Sequence, residues 1–434
     1  MKSLIFQKIG SRVLLFGSKQ WILHSFTSTS IGQSALADTL LTTMLQFARD
    51  PIRLSFPATD PQLTINWGYF SMIVYAVISP VFIYWGLSQL STFNLLMIWI
   101  SGLLELSIEP HLLITQYVQL NYGLRATIES SGLLFKTLIQ IVLLKLFNFE
   151  YIDSYTISLV VYAMTLVILY NYQIKISAPT FEISRKAWQI YKSHIISEIL
   201  HIFLSNGDNL IMATLPFETQ GQYAFINNYG SLIVRMIFQP IEESTRIEIK
   251  HDKDYIPSFE LYAHILPLIA IFGYFNINFI LNKINSGIIT NLTKLPFKIY
   301  TLCLPMWAIN GVLEAYVVST HGSNVYFMAC NSLLYAAIIL ALKKYGLLGF
   351  VLANMVNCLV RILWNGSLAR FNIGLSMQQW WVPVVVFVGA AQMSIGEVDS
   401  LRKFALSGLL GFLSVTVWAL EEFKRYPKGK QKVL

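Results

Sequence analysis

Fourteen long apolar segments follow one another along this 434-residue chain, separated by short runs that contain Gly, Pro and charged residues. Each is close to the roughly 20 residues that an α-helix needs to cross the hydrocarbon core of a bilayer. Hydrophobic residues make up 55% of the chain and charged residues only 12%, about half the charged fraction of an ordinary soluble domain. A water-soluble fold of this length cannot bury so much apolar surface. The sequence therefore predicts an all-α polytopic membrane protein and excludes a disordered, collagen-like or disulfide-stabilised chain.

The predicted helices occupy most of the chain. They lie near residues 4–26, 31–50, 66–88, 93–120, 125–147, 152–174, 187–215, 219–245, 257–281, 297–320, 324–343, 346–368, 380–396 and 402–423. Fourteen spans leave about 140 residues for all loops and tails, so no separate folded domain fits. The segments with almost no charge, 66–88, 152–174 and 380–396, are expected to face lipid. Segments that carry ionisable groups are expected to face a polar interior, because a charge at membrane depth is costly.

Two sequence matches at similar offsets indicate an internal duplication. Residues 99–105 (WISGLLE) resemble residues 307–314 (WAINGVLE), and residues 49–53 (RDPIR) resemble residues 239–243 (QPIEE). A parallel duplication predicts two pseudo-symmetric six-helix lobes and two additional C-terminal helices, fourteen in all. The predicted parts are residues 1–186, 187–372 and 373–434, the last ending in a basic tail. Chance similarity is the alternative explanation.

The net charge of the chain is +8, and the positions of the basic residues indicate their role. With both termini in the cytosol, the loops and tails on that side hold seventeen Lys and Arg residues, against seven on the opposite side. Basic loops resist translocation, so this asymmetry predicts an even number of helices and cytosolic N- and C-termini. Because these cations lie at helix ends, we expect membrane lipids as their partners and no nucleic acid.

The densest polar run, residues 220–244, contains Asn227, Asn228, Arg235, Glu242 and Glu243. Asn227 and Arg235 lie eight positions apart and so share one face of a helix. A guanidinium cannot lose its proton in the bilayer, and therefore Arg235 needs a carboxylate or an anionic ligand. A diphosphate suits the planar fork of an arginine. Structural pairing with an acidic residue is the alternative.

Two further groups of ionisable residues lie inside apolar segments. Glu105 and Glu109 are one helical turn apart, so one of them must keep a proton or pair with a cation, for which Lys136 is the candidate. Structural pairing and proton coupling are both open interpretations. Asp208 follows Gly207, where we expect a break in the helix, and a broken helix at membrane depth often lines a binding site.

Enzymatic functions find little support in the sequence. The chain has no GxxxxGK[ST] loop for a nucleotide and no HExxH motif for a metal. Its one DxD run, residues 252–254, lies in a short predicted loop with no room for a nucleotide-sugar domain. The three cysteines, Cys303, Cys330 and Cys358, show no metal or redox spacing and are interpreted as packing residues. We therefore expect no enzymatic activity, no cofactor and no bound metal.

Six short segments resemble those of a known family. They are QGQYAFINNYGSLIVRMIFQPIEES at 220–244, ARDPIR at 48–53, ELSIEP at 105–110, IESSGLLFK at 128–136, AINGVLE at 308–314 and GFVLANMVNCLVR at 349–361. In these segments the chain resembles the Rft family of eukaryotic oligosaccharide translocation proteins, of the multidrug, oligosaccharidyl-lipid and polysaccharide exporter superfamily. The resemblance implies two lobes, fourteen helices and a central polar cavity. It also implies an endoplasmic-reticulum protein needed to move a mannose-rich dolichyl-diphosphate oligosaccharide to the lumenal leaflet.

The charged residues of the family fall on many of the positions of this chain at which we expect the substrate to bind. The cations expected to receive the diphosphate are Arg49, Arg53, Lys136, Arg235 and Arg361. The polar and acidic residues expected to line the cavity are Glu105, Glu109, Glu129, Asp208, Asn227, Asn228, Glu242, Glu243, Asn310 and Glu314. This chain has His201 and Asn206 where the family has a Lys and a Glu, and Asp50 in place of a Glu. A non-transporting accessory protein of the dolichol pathway and a small-solute antiporter are the alternative functions.

Overall fold

The computed structural model describes residues 26–55, 61–115, 122–176, 178–180, 182, 185–233, 266, 269–280, 291–321, 325–369 and 401–425. Throughout these ranges the regular structure is helical, without a strand. The helices, in chain order, are α1 (Ser28–Ser55), α2 (Pro61–Gly86), α3 (Thr92–Ser107), α4 (Glu109–Leu113), α5 (Tyr122–Lys145), α6 (Tyr151–Gln173), α7 (Arg185–Met212), α8 (Phe217–Ile233), α9 (Ile269–Ile280), α10 (Asn291–His321), α11 (Val325–Leu342), α12 (Leu347–Ala369) and α13 (Leu401–Arg425). A 3-10 turn, Lys343–Tyr345, joins α11 to α12 through Gly346, whose φ of 57° favours glycine.

Most predicted segments coincide with these helices, whereas those at 4–26 and 380–396 lie outside the described residues. Five of the described helical stretches are long and apolar enough to cross a membrane: Gln62–Gly86, Gly123–Lys145, Tyr151–Gln173, Tyr326–Tyr345 and Leu347–Leu368. The polytopic, all-helical class is therefore supported. The number of fourteen helices and the boundaries after residues 186 and 372 stay predictions.

Two local predictions were wrong. The segment at 93–120 is not one helix, because α3 ends at Ser107 and α4 begins at Glu109. Pro110 explains the break, since it has no N–H to donate to the carbonyl one turn earlier and its ring crowds that carbonyl. Conversely, α7 runs through Gly207 without the predicted break. A single buried glycine costs a helix only about 1 kcal/mol relative to alanine, which neighbouring helical residues offset.

The chain forms two compact units, Met1–Ala224 and Phe225–Leu434. The core of the first lies where α1 packs against α2, α3 and α6, around fully buried residues such as Leu40, Met44, Tyr75 and Ile98. Tyr75 lies directly on Gly102 of α3, where an added Cβ would be 2.1 Å from the tyrosine hydroxyl oxygen. In the second unit α10 and α12 pack together, and α11 packs against α12.

The units are apolar outside and carry polar contacts inside. On α2, Val77, Val81 and Tyr84 are 71%, 69% and 80% exposed, a stripe that suits lipid as solvent. Inside, Asn331 of α11 donates to Asn357 of α12 at 2.8 Å. Hydrogen bonds of this kind hold helices together where water is absent.

The prediction that segment 152–174 faces lipid was only partly right, because only part of α6 faces outward. Three of its tyrosines, Tyr155, Tyr162 and Tyr170, lie at interior or partly interior positions, and Tyr170 is 0% exposed. The segment 152–174 lacks charge, but it is not simply lipid-facing. Its buried face forms one wall of the site described next.

Candidate functional site

Two arginines of α1 pair with two glutamates that follow each other along α3 and α4. Arg49 Nη1 donates to Glu105 Oε1 at 3.1 Å. Arg53 makes a two-pronged contact with Glu109, from Nε to Oε1 at 2.5 Å and from Nη2 to Oε2 at 2.8 Å. The two arginines are four residues apart, and so are the two glutamates, so the two pairs lie one helical turn apart. We call these two ion pairs the ladder.

The end of α1 is built to hold Arg53 in place. Pro51 lies inside the last turns of α1, between the two arginines, where it removes one backbone donor. The carbonyl of Ile52 is among the last four of the helix, which have no helical partner. The indole Nε1 of Trp67 donates to that carbonyl at 3.1 Å, and Trp67 is only 1% exposed. This buried cap fixes the backbone next to Arg53.

A cavity of about 230 Å³ opens beside the ladder, several times the roughly 30 Å³ that one water occupies in the liquid. We call it the arginine pocket. Its walls come from α1, α3, α5 and α6 and from the turn around α4, and its lining consists of Arg49, Arg53, Glu105, Ile108, Leu112, Arg125, Glu129, Tyr162, Leu166 and Tyr170. All of these residues belong to the first unit.

A third ion pair contributes to the charge balance of the pocket. Arg125 Nε donates to Glu129 Oε1 at 2.7 Å, one turn further along α5. With the ladder, this places three arginines beside three glutamates, so the group is neutral as a whole. Neutrality is what a low-dielectric setting requires, because an uncompensated ion there would carry a large desolvation cost.

Two buried donors of the pocket lack a hydrogen-bond partner within the described part of the chain. They are the hydroxyl of Tyr170 and Nε of Arg49. Oδ1 of Asp50 lies 3.8 Å from Arg49 Nε, too far for a hydrogen bond. Buried polar groups in proteins are nearly always hydrogen-bonded, so such donors at a cavity point to a ligand or to ordered water.

Lys136 occupies a different cluster from the one predicted. The counter-ions of Glu105 and Glu109 are Arg49 and Arg53, so Lys136 does not take that role. Its Nζ donates to the hydroxyl of Tyr155 at 3.3 Å and lies 4.5 Å from the centre of that ring. The hydroxyl of Tyr155 in turn donates to Asp38 of α1.

The second unit contains an ion pair between residues that were predicted separately as site residues. Arg361 of α12 donates to Glu314 of α10, and Asn310 Nδ2 donates to the same carboxylate at 3.4 Å. Three of the predicted residues, Asn310, Glu314 and Arg361, are therefore brought together. Elsewhere in this unit Asn227 Oδ1 accepts from Tyr300 Oη at 3.4 Å, and Asn228 is half-buried.

Several predicted residues cannot be assigned a place. Arg235, Glu242 and Glu243 lie outside the described residues, as does the side chain of Asp208. Within the described ranges, no group of three or more His, Cys, Asp and Glu side chains is arranged to hold a metal. Cys303 and Cys358 are buried as expected of packing residues, but Cys330 is exposed because it lies on the outward face of α11.

Three polar residues of the pocket, Arg125, Tyr162 and Tyr170, were not among the predicted site residues. Arg125 stands at the start of an apolar segment, where a cation usually marks a helix end, although its spacing of four from Glu129 is a recognisable signal of an ion pair. Tyr162 and Tyr170 gave no signal, because a tyrosine has an apolar ring and a polar hydroxyl and so suits a lipid-facing as well as an interior position.

Relatives of similar sequence from different organisms carry the same protein name. The chain is 26% identical to the Man(5)GlcNAc(2)-PP-dolichol translocation protein RFT1 of Candida glabrata, over 89% of this chain and 81% of that protein. It is 25% identical to the protein of the same name from Eremothecium gossypii, over 94% of this chain and 93% of that protein.

Solved structures share the fold. The lipid II flippase MurJ in an inward closed conformation superposes with a TM-score of 0.73, covering 98% of this chain and 99% of that one at 12% identity. A mutant form of the Vibrio cholerae MATE transporter VcmN superposes with a TM-score of 0.51, covering 85% and 90% at 12% identity. At this identity the likeness concerns the fold alone. The sequence pattern of the Rft protein family matches residues 1–251 and 255–430, and the chain therefore belongs to that family.

Proposed function

We propose that this chain is a non-enzymatic translocation protein for a dolichyl-diphosphate oligosaccharide in the membrane of the endoplasmic reticulum. Its family membership and the printed names of its relatives support the substrate class, and the fold that it shares with MurJ supports movement of a lipid-linked head group. The observation that carries the proposal is the arginine pocket, which places three guanidinium groups around one cavity.

The physical reason is the cost of the head group in lipid. An unpaired diphosphate in hydrocarbon is prohibitively expensive, whereas an arginine binds phosphate through two parallel hydrogen bonds. We infer that cations of the pocket receive the diphosphate, that polar groups receive the sugars and that the dolichyl chain stays in the bilayer. Arg235, Arg361 and Lys136 are proposed as further cations of the path.

The topology that we propose is the predicted one, with fourteen helices in two lobes and both termini in the cytosol. The pocket lies at the C-terminal ends of α1, α3 and α6 and at the N-terminal end of α5. With a cytosolic N-terminus this end of the first unit faces the cytosol. The head group would therefore meet these arginines at the start of its movement.

The ion pairs set a condition on the proposal. Arg49, Arg53, Arg125 and Arg361 each contact a carboxylate in the structure. A diphosphate can bind these arginines only by taking the place of carboxylates. A protein in which the pairs never open would serve as a structural or accessory component of the pathway.

Reconstitution separates these functions. The purified full chain is placed in liposomes with a fluorescent short-chain analogue of the dolichyl-diphosphate oligosaccharide, and exchange between leaflets is measured by chemical quenching. We expect faster exchange than in protein-free liposomes, and a loss of about tenfold or more in Arg49→Gln/Glu105→Gln, which removes one pair but preserves neutrality. Lys136→Gln/Arg235→Gln is expected to lose activity as well.

Lys344→Gln is the matched control, because it removes an exposed cation far along the sequence from the pocket. It is expected to behave as the wild type. A folded wild-type chain that fails to accelerate exchange would refute translocation and favour the accessory function. Exchange of a small solute driven by an ion gradient, without exchange of the glycolipid, would favour an antiporter.

A further inference from the structure

The three ion pairs around the arginine pocket differ in burial. Glu109 has 1% of its side chain exposed, holds Arg53 through two hydrogen bonds and lies outside the pocket lining. Glu105 and Glu129 belong to the lining, with 15% and 36% of their side chains exposed. Their carboxylates therefore stand where an anion entering the pocket meets the same guanidinium groups.

The pocket also contains hydrogen-bond donors that have no acceptor among the described residues. The hydroxyl of Tyr170 belongs to a fully buried residue, and neither it nor Arg49 Nε is hydrogen-bonded to any described group. An arginine offers five N–H donors, and the described hydrogen bonds of Arg49 use one of them, to Glu105. An anion with several oxygens would supply acceptors for these donors that the carboxylates do not reach.

We propose that the arginine pocket binds a diphosphate group by counter-ion exchange, in which Glu105 and Glu129 leave Arg49 and Arg125 as the diphosphate arrives. A diphosphate esterified at both ends carries two negative charges, so it can take over the contacts of two carboxylates at Arg49 and Arg125, while the displaced carboxylates of Glu105 and Glu129 turn towards water in the cavity. Arg53 stays on Glu109 and keeps the wall of the pocket in place.

Exchange accounts for a site that both binds and releases. A site with three unpaired arginines would hold a diphosphate too tightly to pass it on, whereas returning carboxylates compete with the ligand. The same balance between entry and exit operates at the ion sites of channels. The inference rests on the proposed function for the identity of the lipid-linked ligand and deepens it by naming the residues that exchange.

The test is a binding measurement on the purified full chain in detergent, without transport. Inorganic pyrophosphate and a short-chain polyisoprenyl diphosphate are titrated separately, and dissociation constants are obtained by calorimetry. We expect both to bind. Glu129→Gln should bind about five- to tenfold more tightly because a competing carboxylate is gone, and Arg125→Gln at least about tenfold more weakly because a charge-assisted contact is lost.

Two variants complete the design. Glu218→Gln removes an exposed carboxylate of α8 in the same unit, away from the pocket, and should leave both constants within about twofold. Arg125→Lys keeps the charge but loses the planar fork, so it should fall between the wild type and Arg125→Gln.

The possible results of these titrations bear separately on the exchange, on its location and on the ligand. Unchanged or weaker binding in Glu129→Gln would overturn the exchange, and wild-type binding in Arg125→Gln would overturn the location. Binding of pyrophosphate without the isoprenyl compound would overturn the lipid-linked ligand. Binding in the expected order together with no leaflet exchange in liposomes would support the site and refute translocation, so the two proposals fail separately.

Discussion

Replacing Glu109 by glutamine should destabilise the first unit far more than the same change at Glu129. Glu109 is 1% exposed and bound to Arg53 by two hydrogen bonds, so the substitution leaves a largely buried guanidinium without its counter-ion. Breaking a buried pair in this way costs about 3–5 kcal/mol. Because 19% of the Arg53 side chain is exposed, we expect the lower end of that range, about 3 kcal/mol.

Glu129 provides the matched comparison. It is also paired with an arginine, but 36% of its side chain is exposed and the pair lies within one helix. Pairs of this type contribute about 0.3–0.5 kcal/mol. The two Glu→Gln changes therefore remove the same charge from the same pocket region at costs that differ several-fold.

The assay is unfolding of the purified full chain in one detergent, followed by intrinsic fluorescence for the wild type, Glu109→Gln, Glu129→Gln and Glu109→Gln/Arg53→Gln. The double variant removes both charges and should recover much of the stability lost in Glu109→Gln, which gives a large coupling energy in the double-mutant cycle. Equal destabilisation by the two single changes, or a double variant no more stable than Glu109→Gln, would show that Arg53 and Glu109 do not form a buried ion pair.

Three further predictions concern packing and the second unit. Trp67→Phe should cost about 2–3 kcal/mol in the same unfolding assay, because it removes the hydrogen bond to the Ile52 carbonyl and replaces a buried indole by a smaller phenyl ring. Gly102→Ala should cost about 1–3 kcal/mol because the methyl group meets a buried tyrosine, whereas Gly366→Ala, with nothing within 4 Å, should be neutral or stabilising. Arg361→Gln should destabilise more than Arg361→Gln/Glu314→Gln, since the single change strands a partly buried carboxylate; equal unfolding midpoints would contradict this pairing.

The helices were largely predictable because lipid imposes a simple requirement on sequence. A span must be apolar for roughly 20 residues, so runs such as those in α2, α6 and α12 are visible without a structure. Local breaks were less predictable. Pro110 divides the fourth predicted segment because it lacks an N–H and its ring crowds the preceding turn, whereas Gly207 keeps its N–H and leaves α7 intact.

The residues of the site were easier to predict than their partners. The spacing of Glu105 and Glu109 indicated that one of them would keep a proton or pair with a cation, but Lys136 was the wrong cation and both carboxylates are paired, with Arg49 and Arg53. Which cation reaches a carboxylate depends on how α1 packs against α3. The spacing of charged residues along either helix does not predict that packing. For the same reason the contribution of Tyr170 could not be seen before the fold was known.

The ladder also restricts how the first unit can move. A slide of α1 along α3 and α4 by one turn, about 5.4 Å, would bring Arg49 opposite Glu109 and strand Arg53 and Glu105. Smaller slides would misalign all four charges at once. As long as both pairs are closed, these helices therefore travel as a single rigid body or jump by whole turns, and gradual rearrangement occurs at other helix contacts.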